Sequence, residues 1–256
     1  MTAEKTVDQS ASVEQINPIA RSTWYTAFSE FKNAKYADAS TRLRNALEVL
    51  PDEPILTSLL GKTLMLSGET ASALDVMQRL NRLKPLENEY TLLLGWGYQS
   101  TGQNKLAKEL FSQAAKSAVD DFSRRLAVAH LANQQRKYPQ ALAAVKSAQL
   151  LETDSVGAWS LAAEILLKLK RFEDAKKSVE RSLVVTPFFT RDLVTLGLCE
   201  EGLKNFDAAM SAYEAAMASA PRSSIGYERA YWLAIRTGQF RKSWSIINRS
   251  VDSGAK

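Results

Sequence analysis

Apolar residues recur along this chain three and four positions apart, the spacing of an amphipathic helix. In TRDLVTLGLCEEG, Leu193 and Leu196 fall on one face together with Leu203 just beyond. After Lys204-Asn205 a second run, FDAAMSAYEAAMASAP, carries Phe206, Ala209, Met210, Tyr213 and Ala216 on one stripe. So short a turn makes the two helices antiparallel neighbours. Pro221 then ends the second helix, and Pro51, Pro85 and Pro187 stand at the equivalent place after other helix pairs.

The pairs repeat. Ala39, Ala73, Ala107, Ala141, Ala175, Ala209 and Ser243 lie 34 residues apart without insertion or deletion. A second column at the same period reads Ala27, Gly61, Gly95, Ala129, Ala163, Gly197 and Tyr231. A fixed period of this size signals stacked units rather than one globular core. Small residues at both columns let the backbones of a pair approach closely. Aromatic residues opening second helices (Tyr36, Tyr138, Phe172, Phe206, Phe240) are expected to fill the space between units. The register predicts an N-terminal segment, 1–19, read as flexible, and seven units: 20–53, 54–87, 88–121, 122–155, 156–189, 190–223 and 224–256.

With LLGKTLMLSGETASALDVMQRLNRLKP (59–85) and LGLCEEGLKNFDAAMSAYEAAMASAP (196–221), the pattern resembles the tetratricopeptide repeat family. Trp24, Trp159 and Tyr227 lie at or beside that family's aromatic site early in the first helix. Local departures are Val119 and Thr153 for the terminal proline, Thr70 and Asn104 for the aromatic, and Tyr231 for the small residue. The resemblance implies an all-α, right-handed superhelical solenoid of antiparallel helix pairs. It also implies a concave groove, lined by the first helix of each pair, that binds another protein.

Carrying the family's groove column onto this sequence gives Trp24, Phe28, Phe31, Lys32, Lys62, Met65, Leu92 and Trp96 in the first three units. His130, Asn133, Glu164, Lys168, Arg191, Glu228, Trp232 and Arg236 follow in the rest. The face runs from aromatic to mixed-charge. An apolar groove suits an apolar or amphipathic partner segment with aromatic anchors. Glu164 and Lys168, four apart, are as well placed for an ion pair within one helix as for a partner. Heat-shock co-chaperones of the family clamp a carboxylate with Lys and Asn on an early first helix; here Trp24 and Phe28 stand at those sites and Leu59 follows. The implied function is a non-enzymatic adaptor or chaperone, by analogy with assembly factors of bacterial secretion and pilus systems.

The C-terminal end offers an alternative. After FRKSWSIINRSV only DSGAK remains, so Trp244, Ile246 and Ile247 lack a following unit and are expected to dock a partner or a second copy in a self-assembling scaffold. Phe188-Phe189 is expected to cover the junction to the next helix, and Gly95-Trp96-Gly97 to mark close packing or a soft spot within a helix.

Bulk composition adds exclusions. Hydrophobic content of 45% and charged content of 24% are ordinary for a folded chain. A net charge of +5 with acids and bases interspersed is too weak a balance to argue for nucleic acid, which is not expected as a partner. No apolar run is long enough for a membrane span, and the polar N-terminus lacks a signal peptide, so a cytoplasmic location is expected. The single His130 and the single Cys199 fall in different units, leaving no metal-ligand cluster, no cofactor motif and no nucleophile–base pair.

Overall fold

The computed structural model describes residues 17–33, 35–83, 88–117 and 120–255; residues 1–16, Pro85 and Val119 lie outside them. Among the described residues fourteen helices alternate. The first helices of the pairs are α1 (Pro18–Lys32), α3 (Pro54–Leu66), α5 (Asn88–Ser100), α7 (Asp121–Gln134), α9 (Val156–Lys168), α11 (Thr190–Gly202) and α13 (Ser224–Arg236). The second helices are α2 (Tyr36–Val49), α4 (Thr70–Leu83), α6 (Asn104–Ser117), α8 (Tyr138–Gln149), α10 (Phe172–Val185), α12 (Phe206–Ser219) and α14 (Phe240–Ser253). Each helix packs on the one before and the one after, the arrangement of an all-α solenoid. First helices also touch the next first helix, α1 on α3, α5 on α7, α7 on α9, α9 on α11 and α11 on α13, so they form the inner face.

The turn inside the last six pairs is made the same way. Gly68, Gly102, Arg136, Lys170, Lys204 and Gly238, 34 residues apart, all have positive φ, between 57° and 83°. The following amide reaches back to the helix it has just left, as Glu69 N–H does to the Leu64 carbonyl (2.9 Å) and Gln103 N–H to that of Tyr98 (2.8 Å). This left-handed cap satisfies carbonyls that the helix end would otherwise strand. Glycine adopts it freely, whereas Arg136, Lys170 and Lys204 carry a side chain in a region that L-residues avoid.

Both small columns are buried up to the last pair, and each first-helix member faces a residue sixteen places on. The sizes compensate. Glycine stands where the facing residue is large: Gly61 against Met77, Gly95 against Phe111, Gly197 against Tyr213. A Cβ on Gly95 would lie 2.7 Å from the Phe111 ring, and one on Gly197 2.2 Å from Tyr213. Alanine stands sixteen places before the smaller Val145 (Ala129) and Val179 (Ala163), and also before Leu43 (Ala27), which is as large as Met77. Gly95-Trp96-Gly97 is therefore a packing device, since Gly97 also admits Leu74 and Met77. In the last pair Tyr231 replaces the small residue, and Ile247, whose six counterparts are all buried, is 37% exposed.

Aromatic residues that open second helices do not act alike. Phe172 packs on Gly202 of the next first helix, as the inter-unit role requires. Phe206 and Phe240 are exposed, which corrects that expectation for the last two pairs.

Candidate functional site

The solenoid curves far enough to meet itself. Phe189, at the start of α11, is 2% exposed and forms a small core with Tyr36 and Leu66, against which Phe31, Trp96 and Val156 also pack. Its ring meets Trp96 edge-on at 5.6 Å. Beside it the Thr190 hydroxyl donates to the Leu66 carbonyl across the gap (3.5 Å). A Cβ on Gly68 would touch Ala220 at 3.0 Å and Ser223 at 3.3 Å, so the turn after α3 abuts the segment between α12 and α13. Phe189 does not serve as a cover for its own junction, as the sequence pattern suggests. It crosses the groove, and Phe188 is left exposed.

Closure turns the groove into a partly open cavity of about 440 Å³. That volume falls within the range of ligand pockets. Nine residues of the expected groove column line it: Phe28, Phe31, Lys32, Lys62, Leu92, Trp96, His130, Glu164 and Arg191. The groove column alone does not predict Tyr36, Phe122, Val156, Val185, Pro187 or Phe189, which complete the wall. Tyr36 opens a second helix, Val185 ends α10, and residues 186–189 belong to the connection that follows; they arrive through superhelical closure, which no local pattern encodes. The aromatic run Phe188-Phe189 after Pro187 is the one sequence signal that points there.

Polar groups on this wall are tied together. The Glu164 carboxylate pairs with Arg191 on the next first helix (2.6 Å) and accepts from the Asn133 amide on the previous one (3.2 Å). It turns to Arg191 rather than to Lys168, which is exposed. Arg191 also lies over the Trp96 ring (5.6 Å) and donates to Ser100 (3.4 Å). Burial opposes ionisation of Glu164, but Arg191 and Asn133 outweigh it and hold the carboxyl below its usual value. On the aromatic side Lys32 sits over the Phe28 ring at 5.8 Å. With Glu164 matched by Arg191, Lys32 leaves a positive charge on the lining.

Two further titratable groups are buried here. His130 stacks on Phe111 at 4.4 Å, and its Nδ1 has no hydrogen-bond partner. Burial holds its pKa down at about 4, with Glu164 acting to raise it and Arg191 to lower it, so the ring is neutral. Asp192 accepts from Ser160 (2.7 Å), which in turn is 3.1 Å from Ser182. Burial pushes its carboxyl up to about 6 against the hydrogen bonds from Ser182 and Ser160.

The remaining expected groove residues lie elsewhere. Met65 is buried in the core of the first pairs rather than on the surface, which removes it from the accessible wall. Trp24 stacks on Phe28 at 4.7 Å, outside the cavity lining. Asn133 is buried and acts through Glu164. Glu228, Trp232 and Arg236, on α13, are exposed and apart from the cavity; Arg236 pairs with Glu201, and Trp232 meets Tyr231 edge-on. At the C-terminal end Trp244 is 67% exposed, whereas Ile246, at 2%, is part of the core and not available for docking. Its place on the helix points it back at α13.

Among the described residues no group of His, Cys, Asp and Glu is placed to hold a metal ion, and no helix is long and apolar enough to cross a membrane.

Residues 27–88 match a family model described as tetratricopeptide repeat, and residues 193–223 match a second with the same description. No curated protein matches the chain. Among solved structures it is similar to the crystal structure of the APC/C hetero-tetramer Cut9-Hcn1, with a TM-score of 0.60 at 11% identity. That match covers 89% of this chain and 45% of the other, so the likeness is one of fold and this chain spans less than half of that length.

Proposed function

This chain is a tetratricopeptide repeat protein, and from that premise we propose that it is a protein-interaction adaptor whose central cavity receives an apolar segment of its partner. The observation that carries this reading is the cavity of about 440 Å³, walled by Phe28, Phe31, Leu92, Trp96 and Phe189. A site of that size takes a few side chains, not a long helix laid along an open groove. Buried aromatic anchors are the usual source of affinity in such contacts. Lys32, which lies over the Phe28 ring at the cavity wall, favours a segment with an acidic group beside its apolar residues. Glu164 does not oppose that charge, because Arg191 already neutralises it. In its finer form the proposal is a chaperone or assembly factor, of the kind used in secretion or pilus building, that shields an apolar segment of another protein.

The test is site-specific photo-crosslinking in the native host. A photoreactive residue at Leu92 should trap the partner, one at the exposed Val184 on α10 should not, and Phe28→Asp should abolish the Leu92 product. Equal trapping from Leu92 and Val184 would contradict the assignment.

A further inference from the structure

The outer face of α14 is a seat for a helix, and we propose that a second copy of this chain fills it, α14 against α14 in antiparallel pairing. Phe240, Trp244, Ile247 and Val251 are 66%, 67%, 37% and 74% exposed and follow one another at steps of four, three and four, a single stripe along the helix. In the preceding pair two positions of this stripe are covered, although Phe206, the counterpart of Phe240, is 42% exposed there. Met210 and Met217, the counterparts of Trp244 and Val251 one 34-residue period earlier, are 5% and 1% exposed beneath α13. That covering helix runs antiparallel to α12. Ile247 adds an observation of its own: its column turns inward in the six earlier pairs, and only where Tyr231 replaces the small residue does it join the surface.

A two-fold axis across α14 supplies an antiparallel helix automatically, because each copy presents the same patch to the other. The stripe suits that symmetry. Its spacing reads the same in both directions, and its aromatic half faces its aliphatic half: Phe240 meets Val251, and Trp244 meets Ile247. A parallel pairing would instead set Trp244 on Trp244. Aromatic side chains bury roughly 150–250 Å² each, so Phe240 and Trp244, two-thirds exposed, offer about 200–330 Å² per copy. With Ile247 and Val251 the pair of surfaces approaches the roughly 1,000 Å² at which a specific interface becomes stable. The dimer is therefore a weak one, in the micromolar range. Charge distinguishes this occupant from others. Lys242 is paired with Glu214 (2.9 Å), which leaves Arg241 and Arg249 against Asp252 on α14, so two copies repel mildly and salt strengthens their association. An acidic partner helix or an anionic membrane would be released by salt.

Sedimentation equilibrium across the micromolar range, at low and high salt, tests the proposal. The wild-type mass should rise from 28.4 kDa toward twice that value, more so at high salt. Trp244→Glu should remain monomeric with unchanged helicity and melting, because its side chain faces solvent. Phe240→Cys combined with Val251→Cys should, on oxidation, give a dimer linked from 240 of one copy to 251 of the other; Cys199 is buried and does not compete. A wild type that stays monomeric throughout, a Trp244→Glu variant that still dimerises, or a 240-to-240 link would each overturn it. A monomeric wild type that co-sediments with phosphatidylglycerol vesicles would assign the stripe to lipid instead.

Discussion

Phe189 packs edge-on against Trp96, ring centroids 5.6 Å apart and planes at 73°, although one opens α11 and the other lies in the middle of α5. Five helices, α6 to α10, separate them along the solenoid. The contact ties the start of α11 back onto α5, and it converts an inner face into a partly open cavity.

Replacing Phe189 with Ala should cost about 3–5 kcal/mol, the range for truncating a buried aromatic, and should loosen the ring. Solution scattering would then show a larger radius of gyration, with helicity retained. Phe188→Ala, at an exposed position, should fall within about 0.5 kcal/mol of wild type. If the two variants behave alike in denaturation and scattering, the closure is not a structural element.

Gly68 and Gly102 isolate the same closure by a second route. Both have positive φ (83° and 78°), so alanine at either suffers the same backbone strain, about 1–2 kcal/mol. Around Gly102 the space is open, whereas a Cβ at Gly68 meets Ala220 at 3.0 Å. Gly68→Ala should therefore be the more destabilising by roughly 1 kcal/mol or more, an overpacking cost. Urea denaturation of the pair measures the difference; equal losses would mean that the two turns are equally free.

Two buried groups give stability opposite slopes between pH 6.5 and 4. His130 has its native pKa lowered from 6.5 to about 4, so its contribution is full above pH 6.5 and is lost as pH falls through 4. Asp192 has its native pKa raised from 3.8 to about 6, so its contribution is full below 3.8 and is lost as pH rises through 6. Asp192→Asn removes the second slope and uncovers the first. It should be the more stable protein above pH 6. Between pH 6.5 and 4 it should lose about 3 kcal/mol relative to wild type, since one bound proton changes stability by about 1.4 kcal/mol for each pH unit crossed. Parallel stability profiles for the two proteins would contradict this.

Much of the architecture was legible because it is local and periodic. The Gly and Ala columns mark where paired helices touch, and even their sizes anticipate the residues opposite, Gly95 for Phe111 and Ala129 for Val145. The inner face followed from the same register, which is why Phe28, Leu92, His130 and Arg191 meet at one cavity. What the register does not hold is the sum of small rotations between units. Phe189 reaching Trp96, and Tyr36 joining the wall, depend on that sum. Met65 and Ile246 fail as site residues for a simpler reason: each sits one helical step round from the exposed face, and a period alone does not resolve the step.

We propose that the partly open cavity, rather than an open groove or the α14 stripe, binds an apolar segment that carries an acidic group. Its most direct test is titration with anilinonaphthalene sulfonate, an apolar anionic probe, following energy transfer from tryptophan. One saturable site is predicted, lost in Phe28→Asp, weakened in Lys32→Glu and unchanged in Trp244→Glu. Binding that survives Phe28→Asp and disappears in Trp244→Glu would contradict the account.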